Sequence, residues 1–251
     1  MAYWKSAALV LRVTDYGETS QIATLLTRER GKVAAIAKGA KRRGSRLLGV
    51  LEPVTLVEAV LIPPRESGSL HTLTELDVRD TYRGCRGELK RLYAAAYVVE
   101  FLREVCAEED PQPRMFDLAR ETLERLAKGC EPTVVISFEA RALHLLGLFP
   151  EVFRCVECRK ELGAGAAGPP RPLRFSVRLS GVLCEACAGA DLAARKVSPG
   201  ALRVLAALGE EDALASRLRF SESQRAEIRR LLDLYVASAL ERELRLAKYL
   251  E

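Results

Sequence analysis

Through the first third of the chain, apolar and polar residues alternate with a period near two, and clusters of turn-forming residues interrupt the alternation. The runs AALVLRV (7–13), QIATLLTR (21–28), KVAAIAK (32–38), VTLVEAVLI (54–62) and LHTLTEL (70–76) predict five strands. Their connections are TDYGETS, the tight ERG, a long basic segment after residue 38, and PPRESGS, all rich in turn residues. Five short strands in so few residues, with one long connection after the third, suit a small closed barrel of the OB type. A helix-covered parallel sheet would need crossover helices, which this stretch has no room for.

After Asp80 the period changes to that of a helix. Residues 88–106 carry apolar side chains at helical spacing, with Leu92, Ala95, Ala96 and Val99 tracing one face. Further helices are predicted over 114–129, closed by Gly129, over 133–149, stopped by Pro150, and over 221–250, opened by Ser221 and Gln224 in capping-box spacing. Between them, residues 150–190 lose the helical pattern to glycine, proline and cysteine. The expected architecture is therefore α+β and multi-domain. A five-stranded OB-fold barrel (1–80) precedes an α-helical domain (81–251), which carries an inserted module at 150–190.

That insertion holds CVEC at Cys155 and Cys158 and CEAC at Cys184 and Cys187, two C-x2-C knuckles 25 residues apart. Each knuckle turns two thiolates toward one point, so the pair supplies four tetrahedral ligands for Zn²⁺. Four thiolates leave no open position for water, so one structural zinc ion is expected, replacing a core too small to fold alone. GAGAAGPPRP reads as an inserted loop and residues 173–183 as a hairpin leading into the second knuckle. Arg154, Arg159, Lys160 and Arg178 offset the double negative charge of such a centre. Cys85, Cys106 and Cys130 stand singly in helical sequence and read as small core residues.

Charge adds a second theme. The net charge is +5, but residues 1–50 hold ten Lys/Arg against three Asp/Glu, while the remainder holds 29 against 31. From Arg28 to Arg46 stand eight cations, Arg28, Arg30, Lys32, Lys38, Lys41, Arg42, Arg43 and Arg46, against the single acid Glu29. A localised excess on a barrel of this class points to a polyanion, nucleic acid above all. The first 80 residues contain only Tyr3, Trp4 and Tyr16 as aromatics, and the whole chain has no Asn and three Gln. Phosphate contact without base readout is the expected mode.

Catalysis lacks its parts. GAGAAG (163–168) matches a dinucleotide fingerprint in letters, but a cysteine knuckle precedes it and Pro169-Pro170 follows, where a strand and a helix are required. There is no P-loop motif, and His71 and His144, the only histidines, lack a carboxylate or nucleophile at motif spacing, so no enzymatic activity is expected. No apolar run is long enough to span a bilayer, and the N-terminus lacks an apolar leader core, which predicts a cytoplasmic protein with reduced cysteines.

In order, the segment ALVLRVTDYGETSQIATLLTRERGKVAAIAKGAKR, then LEPVTLVEAVLI, the helical domain, and FEARALHLLGLFPEVFRCVEC with its partner CEAC resemble the bacterial DNA repair protein RecO family across essentially the whole chain. The resemblance implies an OB-fold followed by a helical domain with a zinc-binding insertion. It implies a nucleoid-associated mediator that binds single- and double-stranded DNA and anneals complementary strands. With RecR, such a mediator helps load RecA onto DNA coated by single-strand-binding protein. Carried over residue by residue, the zinc ligands are Cys155, Cys158, Cys184 and Cys187. The DNA contacts carry over as a region that includes Lys38, Lys41, Arg42, Arg43 and Arg46. An alternative reading of the same parts is an OB-fold, zinc-module RNA-binding protein associated with translation.

Overall fold

Strand β1 (Trp4–Tyr16) pairs antiparallel with β2 (Ser20–Thr27) and with β4 (Thr55–Ile62), β2 pairs with β3 (Gly31–Ala37), and β4 pairs with β5 (His71–Asp80). A short parallel contact, Ala35 with His71 and Ile36 with Thr72, joins β3 to β5 and closes the barrel in the order β1-β2-β3-β5-β4. This is the OB-like barrel expected from the sequence. A computed structural model of the chain describes residues 3–64, 69–129, 133–162, 173–210 and 221–250.

Alternation explains the barrel. In β3 and β4 every second residue is buried, and Val33, Ala35, Ala37, Val57, Ala59 and Leu61 point into one core with Ala23 and Leu25 of β2. Alanine is frequent among the inward residues, as a narrow five-stranded barrel requires. In β1 the pairing register shifts between Val10 and Arg12; beyond the shift Val13 faces the core and Arg12, Thr14 and Tyr16 face outward.

The long connection 38–54 is built from successive turns, with Arg42 N–H donating to Gly39 O, Ser45 N–H to Arg42 O and Leu48 N–H to Ser45 O. Its Ala40, Leu47 and Leu51 belong to the barrel core. The segment is thus anchored by apolar side chains while its cations remain outside.

Contacts divide the chain into two units, Met1–Glu131 with Leu244–Glu251, and Pro132–Glu243. In the first, α1 (Leu89–Val105) and α2 (Pro113–Lys128) accompany the barrel. Of the face expected on α1, Ala95 and Val99 are buried, Ala96 is partly buried and Leu92 is exposed; Ala94, Tyr97, Val98, Phe101 and Leu102 are buried as well, because packing covers the second half of α1 on most sides. Buried Glu100 on α1 accepts the backbone N–H groups of Arg245 and Leu246, and Tyr93 stacks on Tyr249 with centroids 4.4 Å apart, which fixes the C-terminal segment.

The second unit holds α3 (Thr133–Leu145), α4 (Pro199–Gly209), α5 (Glu222–Ala239) and a three-stranded sheet of β6 (Leu173–Ser176), β7 (Gly181–Leu183) and β8 (Arg195–Val197) in the order β7-β6-β8. The expected hairpin is β6–β7. Helix α3 ends earlier than Pro150, because Gly147 takes φ +68° and Leu148 N–H returns to Leu143 O at 2.8 Å. Helix α5 opens with the reciprocal Ser221/Gln224 capping box but ends at Ala239 instead of running to 250, where Leu240 caps it and Glu241 adopts φ +50°. Helix α4 is an addition to the elements expected. Ser198 caps it by accepting the Ala201 N–H, and Pro199 opens its first turn. Inside this unit, Arg229 of α5 makes a bidentate pair with fully buried Glu139 of α3, at 2.7 and 2.8 Å, and a further pair with Asp233.

Candidate functional site

The eight cations singled out in the sequence fall into two groups. Arg28, Arg30 and Lys32 flank the β2–β3 turn, where each is already engaged within the first unit. Arg28 forks onto Asp117 of α2, with Nε at 3.1 Å and Nη2 at 2.9 Å, and its guanidinium holds the Asp117 carboxyl below the usual carboxylate range. Arg30 lies over the Trp4 ring, 4.9 Å from its centroid, and Lys32 Nζ donates to the Arg103 carbonyl at 2.7 Å. The acid inside the run, Glu29, accepts the Ser6 hydroxyl.

Lys38, Lys41, Arg42, Arg43 and Arg46 form the second group, all exposed, after the far end of β3. Six strand steps separate Lys32 from Lys38, about 20 Å along the barrel. These five side chains decorate the turn-built segment that Ala40, Leu47 and Leu51 fasten to the core. Lys41 N–H donates to Thr19 O at 2.9 Å and Gly39 N–H to Ser20 Oγ at 3.3 Å, which binds the segment to the β1–β2 hairpin. Glycine suits position 39: its φ is +67°, which L side chains rarely adopt, and a Cβ would press on the Arg42 side chain at 3.3 Å. One partner was not foreseen. Asp15 accepts from Lys41 Nζ at 2.7 Å and from Gln21 Nε2 at 3.1 Å, and these bonds hold its carboxyl below the usual range.

The cysteine quartet assembles as a cluster. Sγ atoms of Cys155, Cys158, Cys184 and Cys187 all lie within 4.8 Å of one another, and those of Cys158 and Cys184 are 3.7 Å apart. Tetrahedral coordination at about 2.3 Å places sulfurs about 3.8 Å apart, so the donor set fits one metal ion. The first knuckle is laced by Arg159 N–H to Cys155 O and Cys155 N–H to Lys160 O, both 2.9 Å, with Arg159 at φ +61°. Val156 N–H donates to Val182 O and Val182 N–H to Glu151 O, each 2.9 Å, which seats that knuckle on β7. Cys155 and Cys184 are buried among Leu183 and Ala194, whereas Cys158 is exposed.

Burial works against ionising the Cys155 thiol, but backbone N–H groups of Cys158, Cys184 and Glu157 outweigh it and bring it down to about 6. Cys187 moves the other way, up to about 12, chiefly because its hydrogen bond to Cys184 and its burial disfavour a further negative charge in the cluster. A cation at the centre would remove that conflict. Among the solitary cysteines, Cys85 and Cys106 are buried as expected, and Cys130 lies outside the described residues. So do GAGAAG and the inserted-loop expectation for 163–172.

Models of recombination protein O match the chain twice, the N-terminal domain over residues 1–82 and the C-terminal domain over 86–247. The DNA repair protein RecO of Bacillus subtilis (strain 168) is 33% identical over 233 residues, covering 92% of this chain and 87% of the relative. The chain belongs to the RecO family. Proteins of the same name from Anaeromyxobacter sp. (strain Fw109-5), 36% identical over 98% of this chain and 95% of the relative, and from Myxococcus xanthus (strain DK1622), 35% identical over 98% and 96%, agree with that assignment.

In this RecO-family chain, one of the two histidines gains a carboxylate neighbour that motif spacing did not announce. His71 is buried, edge-on to Trp4, with Nε2 3.3 Å from Glu109 Oε1. His144 stacks on Phe149 at 3.7 Å, and burial pushes its imidazole below the ordinary value. No helix among the described residues is long and apolar enough to cross a membrane.

Proposed function

We propose that this RecO-family chain is a non-enzymatic recombination mediator that binds single- and double-stranded DNA without sequence preference. It anneals complementary strands and, with RecR, helps load RecA onto DNA coated by single-strand-binding protein in the cytoplasm, at the nucleoid. The observation that carries the DNA-binding reading is the outward group Lys38, Lys41, Arg42, Arg43 and Arg46 on a segment fastened to the barrel by buried Ala40, Leu47 and Leu51. A charge run on a freely moving loop would lose entropy on binding; an anchored one is already ordered. Arg28, Arg30 and Lys32 contact Asp117, the Trp4 ring and the Arg103 carbonyl, and Lys41 contacts Asp15, so the proposed contact region centres on the exposed group after β3 while the first three lie at its edge.

Phosphate contact explains annealing without a nucleotide cofactor. Neutralising two strands reduces their mutual repulsion, and base pairing supplies the specificity that the protein lacks. The cysteine cluster holds one structural Zn²⁺, which when bound ties the knuckles of the second unit and supplies no open coordination position.

The test is DNA binding by the triple variant Lys41→Ala, Arg42→Ala, Arg43→Ala. Affinity should fall by a similar factor for unrelated sequences, and the slope of log K against log salt, about −4 for five phosphates, should flatten by about 2 to 3. Undiminished affinity sinks the reading. Strand annealing with and without a coat of single-strand-binding protein then separates a mediator from a simple DNA binder.

A further inference from the structure

Phosphate contact treats single strands and duplexes alike, but one residue beside the basic segment does not. Tyr16 ends β1 on the outward side of the barrel, 56% exposed. Its strand partner is Ser20, and Ser20 Oγ accepts the Gly39 N–H. Gln21, the next residue, pairs with Ala37, the last residue of β3. Lys38 follows directly after the end of β3, so Tyr16 lies across from a serine that is itself bonded to the start of the basic segment. The next row along the same face is Thr14, Ile22 and Ile36, neutral and only partly covered. The other exposed aromatics of this unit are elsewhere. Tyr3 precedes the opposite end of β1, and Tyr249 is stacked on Tyr93.

We propose that Tyr16 is a base-stacking platform that makes this face prefer single-stranded DNA to duplex. The proposal rests on the phosphate-binding reading and adds a contact to it. With phosphates on Lys38 and its neighbours, an unpaired base can turn onto the ring and the neutral strip beside it. In a duplex the base faces are occupied by neighbouring bases, so the same ring gains nothing. The isolated exposed tyrosine common on any surface would lack the adjacent basic segment and the neutral strip of Thr14, Ile22 and Ile36.

The experiment compares the full-length protein with Tyr16→Ala and Tyr16→Trp, measuring binding to an oligo-dT strand containing one 2-aminopurine and to a duplex of equal length over a range of salt. Tyr16→Ala should lose about 5- to 100-fold in single-strand affinity with duplex affinity within two-fold, Tyr16→Trp should retain affinity, and 2-aminopurine quenching should vanish only in the alanine variant. The salt slopes should stay parallel, since stacking releases no counterions; a purely structural role for Tyr16 in holding the basic segment would flatten them. Equal single-strand affinity of Tyr16→Ala, or an equal loss on duplex, overturns the proposal while leaving phosphate binding standing. Failure of the unaltered protein to bind either DNA removes the phosphate-binding reading and this one with it.

Discussion

Asp15 sits closer to the cationic group than any residue expected to matter there. Its carboxylate holds Lys41 Nζ at 2.7 Å, and both side chains are substantially exposed. An exposed pair of this kind contributes little to stability. It does occupy an ammonium that would otherwise meet a phosphate, so binding DNA at Lys41 requires the pair to open. Asp15→Asn is therefore expected to raise DNA affinity a few-fold and to steepen the salt slope by about one, with the fold unchanged, as read by binding titrations at several salt concentrations. Unaltered affinity and slope would mean that Lys41 stays outside the DNA contact.

Among the elements, the β2–β3 turn shows how packing can demand a residue more strictly than local geometry does. Gly31 has φ +70°, and a Cβ there would lie 2.0 Å from the Asp110 carbonyl oxygen, backbone that cannot move aside cheaply. The same stretch pairs with β3: Glu109 N–H donates to Lys32 O at 2.9 Å. Gly31→Ala should destabilise the first unit by well over about 1 kcal/mol, seen as a lowered denaturation midpoint, whereas Gly17→Ala, at φ +63° with open space around it, should carry backbone strain alone. Equal midpoints for the two variants would refute the steric argument. The turn itself was legible from ERG, but the clash was not, because Asp110 is distant in sequence and only the folded chain brings it near.

At the scale of the molecule, the proposed metal site and the cations belong to separate units, the sulfur cluster in Pro132–Glu243 and the basic segment in the unit that contains the barrel. A chelator, or Cys184→Ser at a buried ligand, is expected to strip the metal and remove hydrogen-exchange protection from β6, β7 and β8. Barrel amides should keep their protection, and DNA affinity should hold within about two-fold. Loss of barrel protection would show instead that the metal supports the whole chain. Helical capping in this unit was partly legible, as with Ser221 and Gln224, while α4 and β8 were not. Strand β8 has three residues and exists through its pairing with β6, Leu173 with Val197, which no local pattern announces.

The sequence by itself determined what depends on near neighbours. Period-two alternation specified the five barrel strands, C-x2-C spacing specified the four sulfurs, and the count of Lys and Arg specified which end is basic, because strand faces, knuckles and charge are local properties of a chain. Tertiary structure decided what depends on distant partners. It closed the barrel through two residue pairs between β3 and β5, and it gave Arg28, Arg30, Lys32 and Lys41 partners in Asp117, the Trp4 ring, the Arg103 carbonyl and Asp15 while setting Lys38, Arg42, Arg43 and Arg46 exposed after β3. It also set Tyr16 opposite Ser20, whose Oγ accepts the Gly39 N–H of the basic segment. A charge in sequence is only a potential contact; which charges remain available is fixed by the acids, carbonyls and rings that folding brings within bonding distance.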